Sequence, residues 1–304
     1  MNQQGNTAKR ALITGASGFT GHYLTQELQQ HGWEVWGLGH MPKGGSQADL
    51  RHYVQADLND YATLQAAVHQ AAPHAVFHLA AIAFVGHGSP ADFYRVNVGG
   101  SRNLLQALAS LPFAPQSVLL ASSANVYGNA AEGQLAESSP IRPANDYAVS
   151  KAAMEMMASL WMDKLPLVMT RPFNYTGVGQ STDFLIPKIV SHFRRKAPQI
   201  ELGNLQVWRD FSDVRDVVRA YRLLAEKQVT GTVVNVGSQA LYSLQDVLDT
   251  CARLTNHQME VQVNPAFVRA NEVKTLCADT SRLDSLVGAR TLIPLEQTLQ
   301  WMLS

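Results

Sequence analysis

A glycine-rich turn near the start of the chain constrains the fold more than any other stretch. The segment "ALITGASGFTGHYL" passes from a strand-like run into a helix-like one, with Gly15, Gly18 and Gly21 at the turn in a GxxGxxG spacing. Glycines permit a tight turn and let the backbone approach a pyrophosphate, whose charge is met by the amides at a helix N-terminus. The pattern predicts the first βα unit of a dinucleotide-binding domain; the alternative is a tight turn that binds nothing.

Apolar runs alternate with amphipathic stretches after this turn. The runs "EVWGL", "AVFHLA", "SVLLA" and "LVMTRP" predict buried strands, and "GHYLTQELQQHG" and "SRNLLQALASL" predict helices. Strands that are apolar throughout are typical of parallel sheets covered on both faces. We therefore expect an α/β fold, with a Rossmann doubly wound parallel sheet that binds NAD(P) mainly in residues 1–177.

A smaller C-terminal α/β lobe is expected mainly in residues 178–304, with some exchange of strands and helices between the two parts. There the alternation loosens: "QIEL" and "TVVNVG" predict strands, and residues 214–226 and 244–254 predict helices. We expect this lobe to bind the substrate.

Composition narrows the class of partner. Among 304 residues, 24 Lys+Arg balance 24 Asp+Glu, which gives no electrostatic reason to expect nucleic acid or an anionic membrane as partner. Cys251, Cys277 and the dispersed histidines show no metal-site spacing. The polar start "MNQQGNTAKR" has no signal-like apolar core, and no apolar run reaches about 18 residues. We expect a soluble cytoplasmic protein with reduced thiols, no metal and no membrane partner.

The residues after the second predicted strand bear on the choice of cofactor. An Asp or Glu there would bind both ribose hydroxyls of NAD, but this chain carries His40 and then Lys43. Without an acid to repel a 2′-phosphate, NADPH is favoured over NADH, although both residues could equally be solvated surface. Asp57, followed by Leu58 in "QADLND", is expected to contact the adenine edge or to cap a helix.

A tyrosine and a lysine share one face of a predicted helix. Tyr147 and Lys151 are four residues apart in "NDYAVSKAAME", which places them one turn apart. A free phenol has a pKa of about 10, and a nearby ammonium lowers it. The pair predicts that Tyr147 protonates an alkoxide or deprotonates an alcohol; the alternative is a helix start with a surface lysine.

The ordered motifs TGxxGxxG, "HLAA", "VNVGGSRNLLQA", "SSANVYG", YxxxK and "RPFN" resemble the extended short-chain dehydrogenase/reductase family over nearly the whole chain. This resemblance implies nucleotide-sugar substrates and a homodimer. It also implies that Ser123 holds the substrate oxygen, Tyr147 is the acid/base, and Lys151 binds the nicotinamide ribose and tunes Tyr147. The turn, the residues discussed above and the resemblance together assign to cofactor binding Gly15, Gly18, Phe19, Thr20, Gly21, His40, Asp57, Leu58, Ala80, Ala81, Asn97, Tyr147, Lys151, Pro172 and Phe173.

One departure from the family pattern limits the chemistry. In the sugar-nucleotide 4,6-dehydratases of this family, carboxylates follow the active-site hydroxyl, whereas this chain has Ala124 and Asn125. An amide cannot act as the base that dehydration requires. Hydride transfer with one proton transfer at a single carbon remains, by a ketone reductase or an epimerase.

The C-terminal half most resembles the GDP-4-keto-6-deoxy-D-mannose reductases in "RPFNYTGVGQ", "FLIPKIV", "ELGNLQVWRDFSDVRDVVRAY" and "VRANEVKTLCADTSRL". Those enzymes form GDP-D-rhamnose for surface polysaccharide such as lipopolysaccharide. The resemblance assigns the nucleotide diphosphate and its ribose to an arginine fork and a carboxylate, with further substrate contacts from other polar residues. The substrate-binding residues expected in this way are Ser123, Asn125, Asn174, Lys188, Arg209, Arg269 and Glu272.

Several alternatives stay open at this stage. Arg209 could pair with Asp210 or Asp213 on a surface helix, and Arg269 could lie in a solvated loop. The enzyme could be a 4-epimerase with tightly held NAD, or a 4-keto reductase of a CDP- or dTDP-linked sugar. A non-catalytic NADPH-binding regulator would typically have lost the tyrosine or the lysine of YxxxK. Finally, His78 in "AVFHLA" is expected to be a hydrogen-bonded core histidine.

Overall fold

The computed structural model describes residues 9–42, 50–83, 89–129, 133–267 and 273–304. The described strands are β1 (Arg10–Thr14), β2 (Glu34–Gly39), β3 (His52–Gln55), β4 (Ala75–His78), β5 (Ser117–Ala121), β6 (Gly133–Leu135), β7 (Leu167–Pro172), β8 (Asn174–Thr176), β9 (Gln199–Leu202), β10 (Trp208–Asp213), β11 (Thr232–Val236), β12 (Leu241–Ser243), β13 (Glu260–Val263) and β14 (Thr275–Ala278). The described α-helices are α1 (Phe19–Gln30), α2 (Tyr61–Ala71), α3 (Pro90–Tyr94), α4 (Ser101–Ala109), α5 (Asp146–Ser159), α6 (Leu185–Arg194), α7 (Val214–Glu226), α8 (Leu244–Thr255), α9 (Ser281–Val287) and α10 (Leu295–Leu303).

Seven strands form the larger sheet, in the order β11-β7-β5-β4-β1-β2-β3. Neighbours from β3 to β7 are parallel. The chain builds outward from β1 in one direction through β2 and β3, and then returns to β4 on the other side. This reversal of strand order is the switch point of a Rossmann sheet, where ligands bind at the carboxyl ends of the strands. The predicted fold class is confirmed.

Apolar residues on both faces of the strands explain why the sheet is covered twice. On β1, Leu12 packs in a core with residues of α2, α4 and α5. Its neighbours Ala11 and Ile13 are also fully buried, and successive strand residues point to opposite faces. Helices α1 and α7 are joined by an ion pair in which Arg222 Nε donates to Glu27 Oε1 at 2.7 Å.

A second set of strands forms a five-stranded sheet in the order β12-β10-β14-β6, with β8 paired to β10. It is mixed, because β10 runs antiparallel to β12 and parallel to β8 and β14. A further parallel pair joins β9 and β13. Helices α6, α8 and α10 pack around one hydrophobic core with β9 and β10, centred on residues such as Phe193 and Phe211.

The chain divides into two compact units, each drawn from three segments. The first lies within residues 1–122, 145–170 and 218–233, and the second within 123–144, 171–217 and 234–304. The predicted strand "QIEL" is β9 of the second unit. The predicted strand "TVVNVG" is β11 at the edge of the large sheet, and the division between the two units falls within it, after residue 233. Its apolar residues resemble those of any buried strand, and the sequence does not specify the partner.

Both cysteines are buried free thiols. Burial raises the pKa of Cys251 to about 12 and that of Cys277 to about 11. Every helix in the described ranges is too short or too polar to cross a bilayer.

Candidate active site

The glycine turn has the backbone geometry that a dinucleotide cradle requires. After β1, Gly15 adopts φ +74°, and its amide donates to the Leu38 carbonyl at 3.0 Å. A Cβ on Gly15 would lie 2.8 Å from the amide nitrogen of Ala80, and one on Gly21 would overlap the Gly15 carbonyl oxygen. Both positions therefore exclude side chains, which allows the turn to bring its backbone close to a pyrophosphate.

The helix that follows presents its positive end at this turn. Helix α1 has Gly18 at its N-cap, so no side chain caps it, and no acidic residue lies in its first turn. Phe19 and Thr20 are its first two residues. The N-terminus of a 12-residue helix favours an anion through its dipole and its amides. The residues present fit the diphosphate of a nicotinamide dinucleotide.

The neighbouring strand ends lie along the same edge of the parallel sheet. His40 follows β2 and is exposed, with its carbonyl accepting from Gln55 Nε2 at 3.0 Å. Asp57 follows β3, and its Oδ1 accepts from the Asn59 backbone amide at 2.8 Å. Helix α2 is capped by Asp60, so the helix-capping alternative for Asp57 is wrong. The Lys43 prediction lies outside the described residues.

Leu58 and the loop after β4 complete this edge. Leu58 is buried and packs so closely on Gly100 that a Cβ on that glycine would lie 2.9 Å from the leucine Cβ. Ala80 and Ala81 follow β4 and are half-buried. The next residue, Ile82, is held on both its amide and its carbonyl by the side chain of Asn97, at 2.9 and 3.1 Å. Asn97 is buried in a π-helical turn that directly precedes α4, and it braces this loop.

Helix α5 carries the predicted proton-transfer pair. It starts after Asn145, whose Oδ1 accepts from the Ala148 amide at 2.9 Å. Tyr147 is buried, and its ring meets that of Phe93 edge-on with centroids 6.3 Å apart. Lys151 is only 5% exposed, and its Nζ donates to the Ala121 carbonyl at the end of β5 at 2.7 Å. The alternative of a surface lysine is therefore wrong.

Burial gives Lys151 unusual acidity. It lowers the pKa of the ammonium from 10.5 to about 8, and the Glu155 carboxylate partly opposes this shift. Lys151 thus keeps its charge at neutral pH but lies close to losing it. Lys151 and Tyr147 lie one helical turn apart on α5.

His78, at the end of β4, is a neutral core histidine as predicted. Its Nδ1 lies 2.6 Å from Thr14 Oγ1 and its Nε2 lies 2.8 Å from Ser101 Oγ. Burial lowers its pKa from 6.5 to about 3, and the charge of Lys151 adds to the shift.

This shift predicts sensitivity to acid. Since the unfolded chain binds the His78 proton between pH 6.5 and 3 and the folded chain does not, stability falls as pH drops through this range. We expect about 2 kcal/mol to be lost from this group between pH 7 and pH 5. Urea unfolding at both pH values should show a smaller loss in His78→Gln than in the wild type. The exposed His69→Gln is the control, and an unchanged pH dependence in His78→Gln would contradict the assignment.

The second unit contains the predicted serine. Ser123 follows β5 and Ser122, is buried, and caps a 3₁₀ turn (Ala124–Tyr127). Its Oγ accepts from both the backbone amide and the side-chain Nδ2 of Asn125, each at 3.1 Å. The side chain of Asn125 is therefore a donor to the serine.

Three further predicted residues of this unit lie at the end of β7 and the start of β8. Pro172 ends β7 and is buried, and Phe173 packs on Tyr127 with ring centroids 6.2 Å apart. Asn174 is exposed and starts β8, in register with Phe211 of β10.

The predicted basic contacts lie on β10 and α6. Arg209 belongs to β10, not to a surface helix, and its Nη1 donates to the carbonyls of Trp208 and Lys274 at 2.9 and 3.2 Å. Lys188 on α6 donates to the Glu201 carbonyl at 2.9 Å. The predicted Arg269 and Glu272 lie outside the described residues.

Two buried serines near these residues were not predicted from the sequence. Ser101 and Ser150 are both buried, and each donates to a backbone carbonyl of its own helix or of the turn before it. Ser150 lies three residues after Tyr147, so the helical period could have directed attention to it. Ser101 offered no such signal, because its partner His78 is 23 positions away. The described residues contain no group of three or more His, Cys, Asp or Glu side chains arranged to hold a metal.

Two curated relatives are similar over almost the whole chain. The GDP-6-deoxy-D-talose 4-dehydrogenase of Aggregatibacter actinomycetemcomitans is 33% identical over 92% of this chain and 91% of its own. The GDP-6-deoxy-D-mannose reductase of Pseudomonas aeruginosa is 31% identical over 97% and 96%.

Solved structures agree on the fold. A Burkholderia cenocepacia J2315 protein that carries an epimerase name is 48% identical, with a TM-score of 0.92 over 97% of both chains. The RMD protein of Pseudomonas aeruginosa, in complex with NADPH, is 30% identical, with a TM-score of 0.85 over 99% and 98%. MoeE5, in complex with UDP-glucuronic acid and NAD, is 29% identical, with a TM-score of 0.84 over 95% and 96%.

A family model covers most of the chain, including the glycine turn, the YxxxK helix and β11. It matches residues 11–237 and describes NAD-dependent epimerases and dehydratases. Together with a dinucleotide cradle at the switch point of the sheet, this match shows that the chain belongs to the NAD dependent epimerase/dehydratase family.

Proposed function

We propose that this protein is an NADPH-dependent reductase of the C4 ketone of a nucleotide-linked 4-keto-6-deoxyhexose, with GDP-4-keto-6-deoxy-D-mannose as the substrate. The observation that carries the proposal is the state of the Ser123 hydroxyl. A hydroxyl has two acceptor positions and one proton, and both acceptor positions are filled by Asn125. Its proton is left to donate, and a ketone oxygen is an acceptor.

The proton chemistry follows from helix α5. The chemistry that NADPH would supply, when bound at the glycine turn, is a hydride. Tyr147 then protonates the alkoxide oxygen that forms at C4, while Ser123 donates to the same oxygen and steadies it. Lys151, fixed by its bond to the Ala121 carbonyl, keeps its charge near Tyr147 and holds the nicotinamide ribose.

Asn125 argues against dehydration as the reaction. Removal of a C5 proton needs a base at this point of the chain, and the Asn125 side chain is an amide that donates to Ser123. A reaction with one hydride and one proton at a single carbon is what these residues can support.

The names of the relatives support a GDP-linked deoxysugar. One is named for GDP-6-deoxy-D-mannose, which is GDP-D-rhamnose, and the other for its C4 epimer GDP-6-deoxy-D-talose. We propose one of these two as the product, made in the cytoplasm for surface polysaccharide. Arg209, Arg269 and Glu272 would hold the nucleotide diphosphate and ribose, and Asn174 and Lys188 would add contacts.

The test is an assay of NADPH absorbance with the purified protein and GDP-4-keto-6-deoxy-D-mannose, with NADH in parallel. Oxidation only when the ketosugar is present supports the proposal. If the GDP sugar is inert, the CDP- and dTDP-linked ketosugars identify a different nucleotide. Inactivity with all three contradicts ketone reduction.

A 4-epimerase is the second candidate, because a neighbour with an epimerase name is 48% identical to this chain. Such an enzyme would retain NAD through purification and interconvert C4 epimers with no net change in cofactor. Release of the nucleotide on denaturation, followed by its identification, distinguishes the two candidates.

The preference for NADPH is proposed from His40, and it gives a prediction. The exposed His40 side chain follows β2, where an acid would repel a 2′-phosphate. We expect His40→Asp to shift the ratio of kcat/KM for NADPH over NADH by about tenfold toward NADH, because a carboxylate is placed near that phosphate. His69→Asp is the control, since His69 lies on α2. An unchanged ratio in His40→Asp would remove the basis for the preference.

A homodimer is also proposed, and α5 offers the surface. Val149, Met156 and Leu160 lie on one stripe of this helix and its C-cap, and Met156 and Leu160 are 64% and 78% exposed. Large exposed apolar stripes mark interaction surfaces. We expect Met156→Glu/Leu160→Glu to halve the molar mass measured by light scattering after gel filtration. Val263→Glu, on exposed β13, should leave it unchanged; a double variant that keeps the wild-type mass would contradict the interface.

A further inference from the structure

Five buried polar residues in the first unit are linked in series by hydrogen bonds, and we call them the buried relay: Thr14, His78, Ser101, Asn97 and Ser150. At Asn97 the series passes from the backbone carbonyl to the side-chain amide. Thr14 Oγ1 and His78 Nδ1 are 2.6 Å apart, and His78 Nε2 and Ser101 Oγ are 2.8 Å apart. Ser101 Oγ donates to the Asn97 carbonyl at 2.6 Å. Asn97 Nδ2 donates to Ser150 Oγ at 2.9 Å, and Ser150 Oγ donates to the Tyr147 carbonyl at 2.7 Å.

The donors and acceptors of the relay allow only one assignment of the donor and the acceptor in each hydrogen bond. Ser101 donates its single hydroxyl proton to the Asn97 carbonyl. In its hydrogen bond with His78, Ser101 is therefore the acceptor, so the ring of His78 carries its proton on Nε2. His78 Nδ1 is then an acceptor, and Thr14 donates to it. Thr14 in turn accepts from the Ala80 amide at 3.3 Å. The low pKa of His78 keeps the ring neutral, so this assignment is the same throughout the physiological pH range.

The two ends of the relay lie at the two functional parts of the unit. Thr14 immediately precedes Gly15, and the same Ala80 amide that donates to Thr14 stands where a Cβ on Gly15 would collide. The other end is the backbone carbonyl of Tyr147, in the first turn of α5. Between them, Asn97 also holds both backbone groups of Ile82. No side chain of the relay has more than 4% exposure, so water cannot replace its bonds.

We propose that His78 and Ser101 are positioning residues that couple the dinucleotide turn to the first turn of α5, so that cofactor binding orders Tyr147. Neither residue touches the reacting atoms. A cofactor diphosphate fixes the turn after β1, the relay transmits that order, and removal of a middle member uncouples the two ends. This inference rests on the proposed function only in requiring a nicotinamide dinucleotide.

The first test compares two serine deletions matched in burial. Ser101 and Ser117 are each 1% exposed in the first unit, but only Ser101 belongs to the relay. We expect Ser101→Ala to raise the Kd for NADPH about tenfold by titration calorimetry, because a hydrogen-bond pair in the relay is lost. Ser117→Ala should stay within about twofold of the wild type. Equal Kd values for both variants would overturn the proposal.

The second test asks whether the ends are coupled. Ser150→Ala breaks the relay next to Tyr147, far along the line from Thr14, and should weaken NADPH binding by a similar factor. The double variant Ser101→Ala/Ser150→Ala should bind about as weakly as either single variant, because one break already interrupts the relay. A purely structural role for each serine predicts effects that multiply, and that result would overturn the inference. If Ser101→Ala does not fold, His78→Leu, which removes both ring hydrogen bonds of the relay, takes its place in the cycle.

Amide hydrogen exchange gives a readout that a local packing defect would not move. In the wild type, NADPH should slow exchange at the amides of residues 148–152, and in Ser101→Ala this added protection should disappear while the unliganded rates stay the same. Protection that persists in Ser101→Ala would overturn the proposal. A wild type that binds NADPH but reduces no ketosugar contradicts the proposed function and leaves these affinity and exchange comparisons readable.

Discussion

Replacing Tyr147 with phenylalanine is expected to lower kcat by about a thousandfold while leaving the Kd for NADPH nearly unchanged, because general acid catalysis contributes about 10²–10⁴ to such reactions. The substitution removes one oxygen from a buried ring that packs against Phe93 and keeps the remaining apolar contacts. Stopped-flow measurement of NADPH oxidation gives kcat, and calorimetry gives the Kd.

Tyr61→Phe is the control for this experiment, since it deletes a phenol at the start of α2. It should keep wild-type turnover. Retention of most activity in Tyr147→Phe would contradict the assignment of Tyr147 as the proton donor. A large rise in the Kd of this variant for NADPH would show that the phenol serves cofactor binding.

Replacing Lys151 with methionine is the second large effect we expect. The fold should persist, because a methionine fills much of the same buried volume without a charge to desolvate. Turnover should fall by about a hundredfold or more, since the ammonium no longer favours the ionised form of Tyr147. Lys164→Met is the control, because it makes the same substitution just beyond the same helix, at a lysine whose Nζ lies over the Trp161 ring. Wild-type kcat in Lys151→Met would contradict the role given to this residue.

The pKa of Lys151 adds a pH dependence to this prediction. Wild-type turnover should decline as pH rises through about 8, where the folded protein loses this proton. Stability responds in the opposite direction. Between pH 8 and 10.5 the unfolded chain binds more protons at this group, so its contribution to stability rises with pH. Lys151→Met should lack both slopes, which urea unfolding and a pH–rate profile can measure.

The parts of the fold that follow local rules were predictable from the sequence. Gly15, Gly18 and Gly21 predicted the turn by their spacing, and at Gly15 and Gly21 the backbone contacts are too close for any other residue. The apolar runs predicted β1, β2, β4, β5 and β7 because buried parallel strands show no polar alternation. The spacing of Tyr147 and Lys151 predicted a shared helix face, since the helical period is local.

Features that depend on distant partners were not predictable. The sequence "TVVNVG" reads as a strand, but nothing local distinguishes a place beside β7 from one in the smaller sheet. The sequence made Asp210 a possible ion-pair partner for Arg209. In the structure its buried carboxylate accepts hydrogen bonds from the backbone amides of Ser238, Gln239 and Ala278. Likewise, the bond of Lys151 to the Ala121 carbonyl spans 30 positions, so its burial could not be read from a helix pattern.

The interleaving of the two units governs when either can be completed during synthesis. The Rossmann unit needs residues 218–233, which include most of α7 and the start of β11, and β11 itself ends at Val236, so a ribosome must pass residue 236 before the large sheet has its last strand. The second unit needs residues from 123–144 and also the final helix α10. An isolated fragment ending near residue 177 would leave the outer edge of β7 unpaired and open to association with other chains. Any split of this gene for separate expression of its halves therefore has to respect six segments, not one boundary.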